Sequence, residues 1–365
     1  MSHHTSQRSA LPEKLRTLLI RAVEAGASDL HFIPGHALIT RLHGDLTEAP
    51  GPSLEREETQ QIIQALCPPD AIGRLDKETD LDFSFELPLE KGCLRFRANL
   101  FRAGGELGAC LRVIPTEIPS FGWAGFPGDL AERLALLHDG LVFLTGATGS
   151  GKTTTLAMIV NLLNQSGGYR ILTVEEPVEY VFPWSTGSAV TQREVGRDVP
   201  TFADGLKYGL RQDPDVILVG EVRDHMTAQM ALSAAETGHL VFTTLHTRDA
   251  KGAITRFADL FPQEAQRDVR SQLAMSLRAI LSQRLLPGAE RGSKRQLALE
   301  VLWNTHPIAS AIRSGKVESI DTYLLTGRED GMLSFDESIR QLLRAGRITQ
   351  GVAADNVTDP TMLNR

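Results

Sequence analysis

Gly140-Leu141-Val142-Phe143-Leu144-Thr145-Gly146-Ala147-Thr148-Gly149-Ser150-Gly151-Lys152-Thr153 is the stretch on which the fold turns. Its second half, Gly146 to Thr153, matches G-x-x-x-x-G-K-[ST] at every fixed position. The context agrees: an apolar run at 141–144 reads as a buried strand, and residues after Lys152 read as a helix. Each part has a physical reason. Glycines let the backbone curl so that successive N–H groups point at one phosphate. The helix N-terminus adds partial positive charge at the anion. Lys152 can reach the β- and γ-phosphates, and the Thr153 hydroxyl suits Mg²⁺. Gly146, Ala147, Thr148, Gly149, Ser150, Gly151, Lys152, Thr153 and Thr154 are therefore the expected ATP-binding residues.

Outward from this loop, strand-like runs alternate with helical ones. Strands are expected at 140–145, 170–174, 216–219 and 240–245, with helices at 152–163, 202–211 and 227–236. That alternation predicts an α/β domain with a mainly parallel sheet covered by helices. The run 264–286 reads as one long helix, 296–303 as a further strand, and the tail as helical.

Upstream the pattern differs. Leu15, Leu18, Leu19 and Val23 share one side of a helix at 11–25, which Pro12 opens and Gly26 stops. Strand-like runs follow at 29–33 and 37–42, with Gly44-Asp45 as a turn. A helix is expected at 54–66, before Pro68-Pro69. Residues 82–87 alternate polar and apolar, as a half-buried strand does, and 93–101 and 107–114 read as a hairpin turning at Gly104-Gly105. Pro115, Pro119, Gly122, Gly125 and Pro127 interrupt everything. The expected division is an α+β domain at 1–114, a linker at 115–127 and an ATPase domain at 128–365.

Bulk properties narrow the function. A net charge of −7 argues against a nonspecific nucleic-acid binder, which presents a basic face. Cys67, Cys93 and Cys110 fit neither a disulfide framework nor a zinc site, so reduced thiols are expected. The first residues have no apolar signal-peptide core, and no run is long enough to span a bilayer, so a cytoplasmic location is the expectation. His3 and His4 read as solvated tail residues.

A nucleotide hydrolase also needs carboxylates for the metal shell and for water. Two acidic segments end expected parallel strands, where ligands collect in such sheets. One is Val174-Glu175-Glu176-Pro177-Val178-Glu179; the other is Val216-Ile217-Leu218-Val219-Gly220-Glu221, followed by Arg223 and Asp224. A third strand ends in Thr243-Thr244-Leu245-His246-Thr247, which puts an imidazole on the same edge.

In these segments the chain resembles the secretion-superfamily ATPases, and within them the type IV pilus retraction motors. The resemblance runs through Ala27-Ser28-Asp29-Leu30-His31, Arg41-Leu42-His43-Gly44-Asp45-Leu46, Arg95-Phe96-Arg97-Ala98-Asn99 and the phosphate loop. Residues 171–179 are similar to the family's aspartate box, 213–221 to its Walker B stretch and 238–247 to its histidine box.

The resemblance implies a hexamer with nucleotide held between a RecA-like domain and the smaller, PAS-like domain of a neighbouring copy. It implies that Glu179 and Glu221 share water activation and the metal shell, that His246 meets the γ-phosphate, and that Thr153, Glu176 and Glu221 surround Mg²⁺. Arg97 and Arg112 match the arginines that complete the site from the neighbour, with Arg95 and Arg102 as close alternatives. An inner-membrane platform protein is the implied partner, with the motor at the inner face of the cytoplasmic membrane.

Three features favour retraction over pilus extension or type II secretion: no extra N-terminal domain, no four-cysteine zinc insertion, and a tail whose Ser310-Ala311-Ile312-Arg313-Ser314-Gly315-Lys316 partly matches AIRNLIRE. Glu176 stands where the family usually has Asp, and Arg248-Asp249 where many relatives have Asn-Ser. The leading expectation is a hexameric ATPase driving pilus retraction. The alternatives are an ATPase of a type IV secretion machine, a weakly hydrolysing accessory subunit, and a RecA-like nucleic-acid motor.

Overall fold

The structure is a computed structural model that describes residues 11–42, 45–67, 80–90, 92–115, 117–290 and 293–364. His3, His4, His43, Gly44, Pro68 and Pro69 lie outside the described residues. The chain forms two compact units, Met1–Thr116 and Glu117–Arg365.

In the first unit, α1 (Glu13–Glu24) buries Leu15, Leu19 and Ala22, spaced as one helical face requires. The sheet comprises β1 (Ala27–Phe32), β2 (Ile39–Leu42), β3 (Asp45–Glu48), β4 (Asp80–Pro88), β5 (Cys93–Ala103) and β6 (Glu106–Ile114). Its order is β3-β2-β1-β6-β5-β4, with every pair antiparallel. The expected hairpin forms as read: Gly104 and Gly105 both have positive φ, +61° and +83°, as a two-residue turn matched to strand twist requires. Alternation along β5 buries Phe96, Ala98 and Leu100, while Arg97 points the other way and is exposed. With α2 (Arg56–Leu66), these side chains close a core around Leu19, Leu30, Phe32, Ile63, Leu66 and Leu111.

The second unit begins with the short α3 (Phe121–Ala124), which lies inside the stretch read as a linker, and α4 (Gly128–Ala135). Seven strands follow: β7 (Gly140–Thr145), β8 (Arg170–Glu175), β9 (Ala189–Glu194), β10 (Val216–Val219), β11 (Leu240–Leu245), β12 (Leu277–Leu286) and β13 (Gln296–Trp303). The order is β13-β12-β7-β11-β10-β8-β9, parallel throughout except for β12 against β13. Every residue of β7, β10 and β11 is buried, as in a sheet covered on both faces. The covering helices include α5 (Lys152–Ser166), α6 (Phe202–Gly209), α7 (His225–Glu236), α8 (Ala250–Ala258) and α9 (Gln266–Ser276). Further helices follow β13 to the end of the chain.

One expectation is overturned. The run 264–286 is not one helix: α9 stops at Ser276, and Leu277–Leu286 is β12, paired with β7 on one side and β13 on the other. Leu277, Ala279, Ile280, Leu281, Leu285 and Leu286 are interrupted irregularly by Arg278, Ser282, Gln283 and Arg284, a pattern that fits a helix continuing from α9 as well as a strand, so periodicity cannot separate them. The edge strand β9, with only one buried residue, carries no apolar signal and is absent from the sequence reading.

Candidate active site

The register of the parallel strands sets out the site. Leu245 pairs with Thr145, and Val219 pairs with both Thr243 and Val174. The phosphate loop, the two acidic segments and His246 therefore leave the sheet along one C-terminal edge.

The loop after Thr145 turns through Gly146, Gly149 and Gly151, with φ of +145°, +78° and +89°. At Gly146 a Cβ would sit 2.5 Å from the Gln283 carbonyl oxygen and 2.6 Å from Ser150 Oγ, so only glycine fits. Lys152 opens the 15-residue α5. Its ammonium donates to the carbonyls of Gly146 at 2.8 Å and Ala147 at 3.1 Å, folding the side chain across its own loop. Burial lowers the Lys152 pKa, and the fields of Glu221 and Glu179 oppose that shift. Both expected catalytic carboxylates thus act on the ammonium of the phosphate loop. Ser150 Oγ is buried without a hydrogen-bond partner among the described residues, which leaves an unmet polar atom inside the loop.

Thr153 and Thr154 are half-buried in the first turn of α5. The Thr154 hydroxyl lies 3.0 Å from Tyr180 Oη, which ties the helix start to the acidic segment. At the next residue, Thr155 Oγ1 accepts from Gln283 Nε2 at 2.8 Å, fastening α5 to β12.

Glu221 lies two residues past the end of β10, after Gly220. Gly220 N–H donates to the Val174 carbonyl and Thr244 Oγ1 donates to the Gly220 carbonyl, so the backbone before Glu221 is held from both neighbouring strands. The Glu221 carboxylate is largely buried; its Oε2 accepts from Arg223 Nε at 2.6 Å and lies 3.2 Å from His246 Nε2. Thr145 Oγ1 donates to the Thr247 carbonyl at 2.6 Å, pinning the His246 segment to the strand that leads into the phosphate loop. Asp224, one of the acids read beside Glu221, caps α7 by accepting from Thr227 N–H at 2.9 Å.

In the other acidic segment Glu176 is exposed and Glu179 half-buried. No cluster of three His, Cys, Asp or Glu side chains among the described residues would hold a metal unaided. Magnesium on a nucleotide takes most of its ligands from phosphate and water, and the hydroxyl of Thr153 with the Glu221 carboxylate supplies hard oxygen donors of the right kind.

Arg97 and Arg112 lie in the first unit, directly opposite each other on β5 and β6. Arg112 Nε donates to Asp29 Oδ1 at 2.8 Å, with most of the arginine side chain exposed and Asp29 buried beneath it. Arg97 lies 4.0 Å from Asp82. Arg95, the nearby alternative, is buried beside Glu86.

Sequence reasoning missed Glu175. It is buried at the end of β8, where burial pushes its carboxyl up to about 7 against the hydrogen bonds of Thr173, Gln192 and the Glu179 backbone. Glu175 lies inside the acidic segment 174–179, where the sequence singled out only Glu176 and Glu179, and the partner that reveals it, Gln192, sits on the unpredicted β9.

The type II/IV secretion system protein family matches residues 5–344. The chain is 39% identical over 343 residues to the type IV pilus retractation ATPase PilT of Pseudomonas aeruginosa, covering 94% of this chain and 98% of that protein. It is 39% identical over 313 residues to the twitching motility protein of Neisseria gonorrhoeae, covering 86% and 82%. A crystal structure of the pilus retraction motor PilT with bound ADP superposes with a TM-score of 0.85 at 40% identity, covering 96% of this chain and 98% of that one. On this match the chain belongs to the type II/IV secretion system protein family.

Proposed function

We propose that the chain is a motor ATPase that hydrolyses ATP as a homohexamer and powers retraction of type IV pili; pilus retraction and ATPase activity are what the names of its relatives describe for them. The observation that carries the reading is the parallel-strand register that brings the phosphate loop, both acidic segments and His246 to one C-terminal edge of the sheet, with His246 Nε2 3.2 Å from Glu221 Oε2.

On binding, the β- and γ-phosphates replace the carbonyls of Gly146 and Ala147 as partners of Lys152, while loop N–H groups and the start of α5 face the same charge. Thr153, Glu221 and Glu176 would hold Mg²⁺, which when bound neutralises charge on the phosphates. Glu179 orients the attacking water and takes its proton. The water oxygen bonds to the γ-phosphorus, the bond from that phosphorus to the bridging oxygen breaks, and ADP and phosphate leave. His246, held at Glu221, faces the γ-phosphate.

Arg97 and Arg112 from a neighbouring copy complete the site. Asp29 holds Arg112 by its Nε, and most of the arginine side chain is exposed; a guanidinium can meet a phosphate with two parallel donors. Residues 1–114 would serve as the PAS-like mobile domain, 128–365 as the RecA-like ATPase domain, and 115–127 as the hinge. A platform protein of the inner membrane is the proposed partner, with the hexamer at the cytoplasmic face. None of the described helices is long and apolar enough to cross a membrane, which fits attachment through a partner.

The test is ATP turnover of the wild type beside Glu221→Gln and Arg112→Ala, with assembly state measured on each sample. A hexameric, active wild type and two assembled, inactive variants support the reading, and expression in a piliated, retraction-deficient strain should restore twitching. A wild type that binds ATP and barely turns it over overturns the motor role in favour of an accessory subunit.

A further inference from the structure

We infer that Glu175 and Gln192 are positioning residues that hold the Glu179 segment in register with the phosphate loop. The inference rests on the proposed role of Glu179 in hydrolysis.

Residues 176–182 leave β8 and cross to β9 without a strand ladder of their own, so their backbone groups must find partners elsewhere. Side chains from the two strands supply them. The Glu175 carboxylate accepts the backbone N–H of Glu179 itself. Glu194 Oε2 accepts Val178 N–H at 3.1 Å. Gln192 works at both ends of its amide: Oε1 accepts Phe182 N–H at 3.0 Å, and Nε2 donates to the Tyr180 carbonyl at 2.7 Å. Nε2 also donates to Glu175 Oε1 at 3.2 Å, and Thr173 Oγ1 donates to the same oxygen at 2.6 Å.

The register accounts for this convergence. Thr173 pairs with Gln192 and Glu175 with Glu194 in the parallel β8–β9 ladder, so all four side chains rise from one face of the sheet edge. Glu175, Gln192 and Glu194 grip the crossing segment at different residues, Thr173 steadies Glu175, and Tyr180 Oη reaches on to Thr154 in the first turn of α5.

Burying a carboxylate is costly, and Glu175 is 6% exposed. An apolar residue would pack there at lower cost, but it would leave the Glu179 N–H without its acceptor. The carboxylate therefore fixes the backbone of the residue that must meet water, and a displacement of about 1 Å at such a residue costs on the order of 100-fold in rate.

The experiment uses the full chain and compares Gln192→Leu, Glu175→Leu, Glu175→Gln and Glu179→Gln. Steady-state ATP turnover is read beside the Kd for ADP, thermal unfolding and assembly state. The expected result for Gln192→Leu and Glu175→Leu is a kcat about 10- to 100-fold lower with the ADP Kd within about threefold of wild type. Glu175→Gln, which keeps an acceptor oxygen for the Glu179 N–H, should recover part of that loss. Should Glu175→Leu fail to fold, Gln192→Leu carries the test alone.

A Gln192→Leu protein with unchanged kcat overturns the inference. So does an ADP affinity that falls as far as kcat, which marks a general distortion of the site. An inactive Glu179→Gln beside a fully active Gln192→Leu sinks only this inference. A fully active Glu179→Gln sinks the role of Glu179 as well.

Discussion

His246 Nε2 lies 3.2 Å from Glu221 Oε2, across the ends of the neighbouring parallel strands β10 and β11. The same carboxylate oxygen accepts from Arg223 Nε, so Glu221 is held by one group on each side. The pair couples the acidic site to the segment pinned at Thr145, directly before the phosphate loop.

Removing the imidazole should therefore act on the chemical step more than on binding. His246→Ala is expected to lower kcat roughly 100-fold, the usual cost of losing one aligned polar group in a closed site, with a smaller change in KM. Steady-state ATPase kinetics check this; a KM that rises while kcat holds would assign His246 to nucleotide binding alone.

Lys152→Ala should weaken nucleotide binding directly. Hydrogen bonds to a charged group contribute about 1.5–3 kcal/mol, which corresponds to about 10- to 100-fold in Kd. Titration with a fluorescent ADP analogue measures the loss. The fold should survive with a modest loss of stability: Ala147 is exposed, so water can take the ammonium's place at its carbonyl, while the buried Gly146 carbonyl loses its donor.

Gly205 tests packing of helix on sheet. A Cβ there would stand 2.6 Å from Cγ1 and 3.0 Å from Cγ2 of Val174, a fully buried β-branched side chain with little freedom to turn away. Alanine gains about 1 kcal/mol of helix propensity, while overpacking costs about 1–3 kcal/mol. Gly205→Ala is therefore expected to destabilise by about 1 kcal/mol and to push α6 off β8, seen as a lower Tm.

Glu300 makes stability depend on pH. On β13, its Oε1 accepts from Ala250 N–H at 2.8 Å and Ser282 Oγ at 3.0 Å, and burial pushes its carboxyl from the ordinary 4.5 up to about 7. Between those values the folded chain keeps a proton that the unfolded chain has released. The contribution of this group is therefore complete below about 4.5 and falls as pH rises toward 7. Glu300→Gln keeps an oxygen for both donors and never ionises. The variant should match wild type near pH 4.5 and exceed it at pH 8 by on the order of 2–3 kcal/mol. Thermal unfolding at the two pH values checks the crossing.

Legibility followed the range of the interaction. The phosphate loop was readable because its requirements are local: glycines at positive φ, a strand before and a helix after. Strands β7, β10 and β11 were readable because burial on both faces makes them continuous apolar runs. Strand β12 was hidden because its mixed apolar and polar run, attached directly to a helix, reads as more helix. The edge strand β9 was hidden for a different reason, because its polar side chains serve the neighbouring segment and not a core.

By itself the sequence determined the phosphate-binding motif, the parallel α/β architecture around it, and three strand ends bearing Glu179, Glu221 and His246, because these depend on contacts between residues close along the chain. Only the tertiary structure decided that Glu221 meets His246 across two strands and that Glu175 is buried beneath the Glu179 segment. It also decided that Leu277–Leu286 enters the sheet beside β7. Strand register sets all three, and register is settled by the packing of the whole sheet.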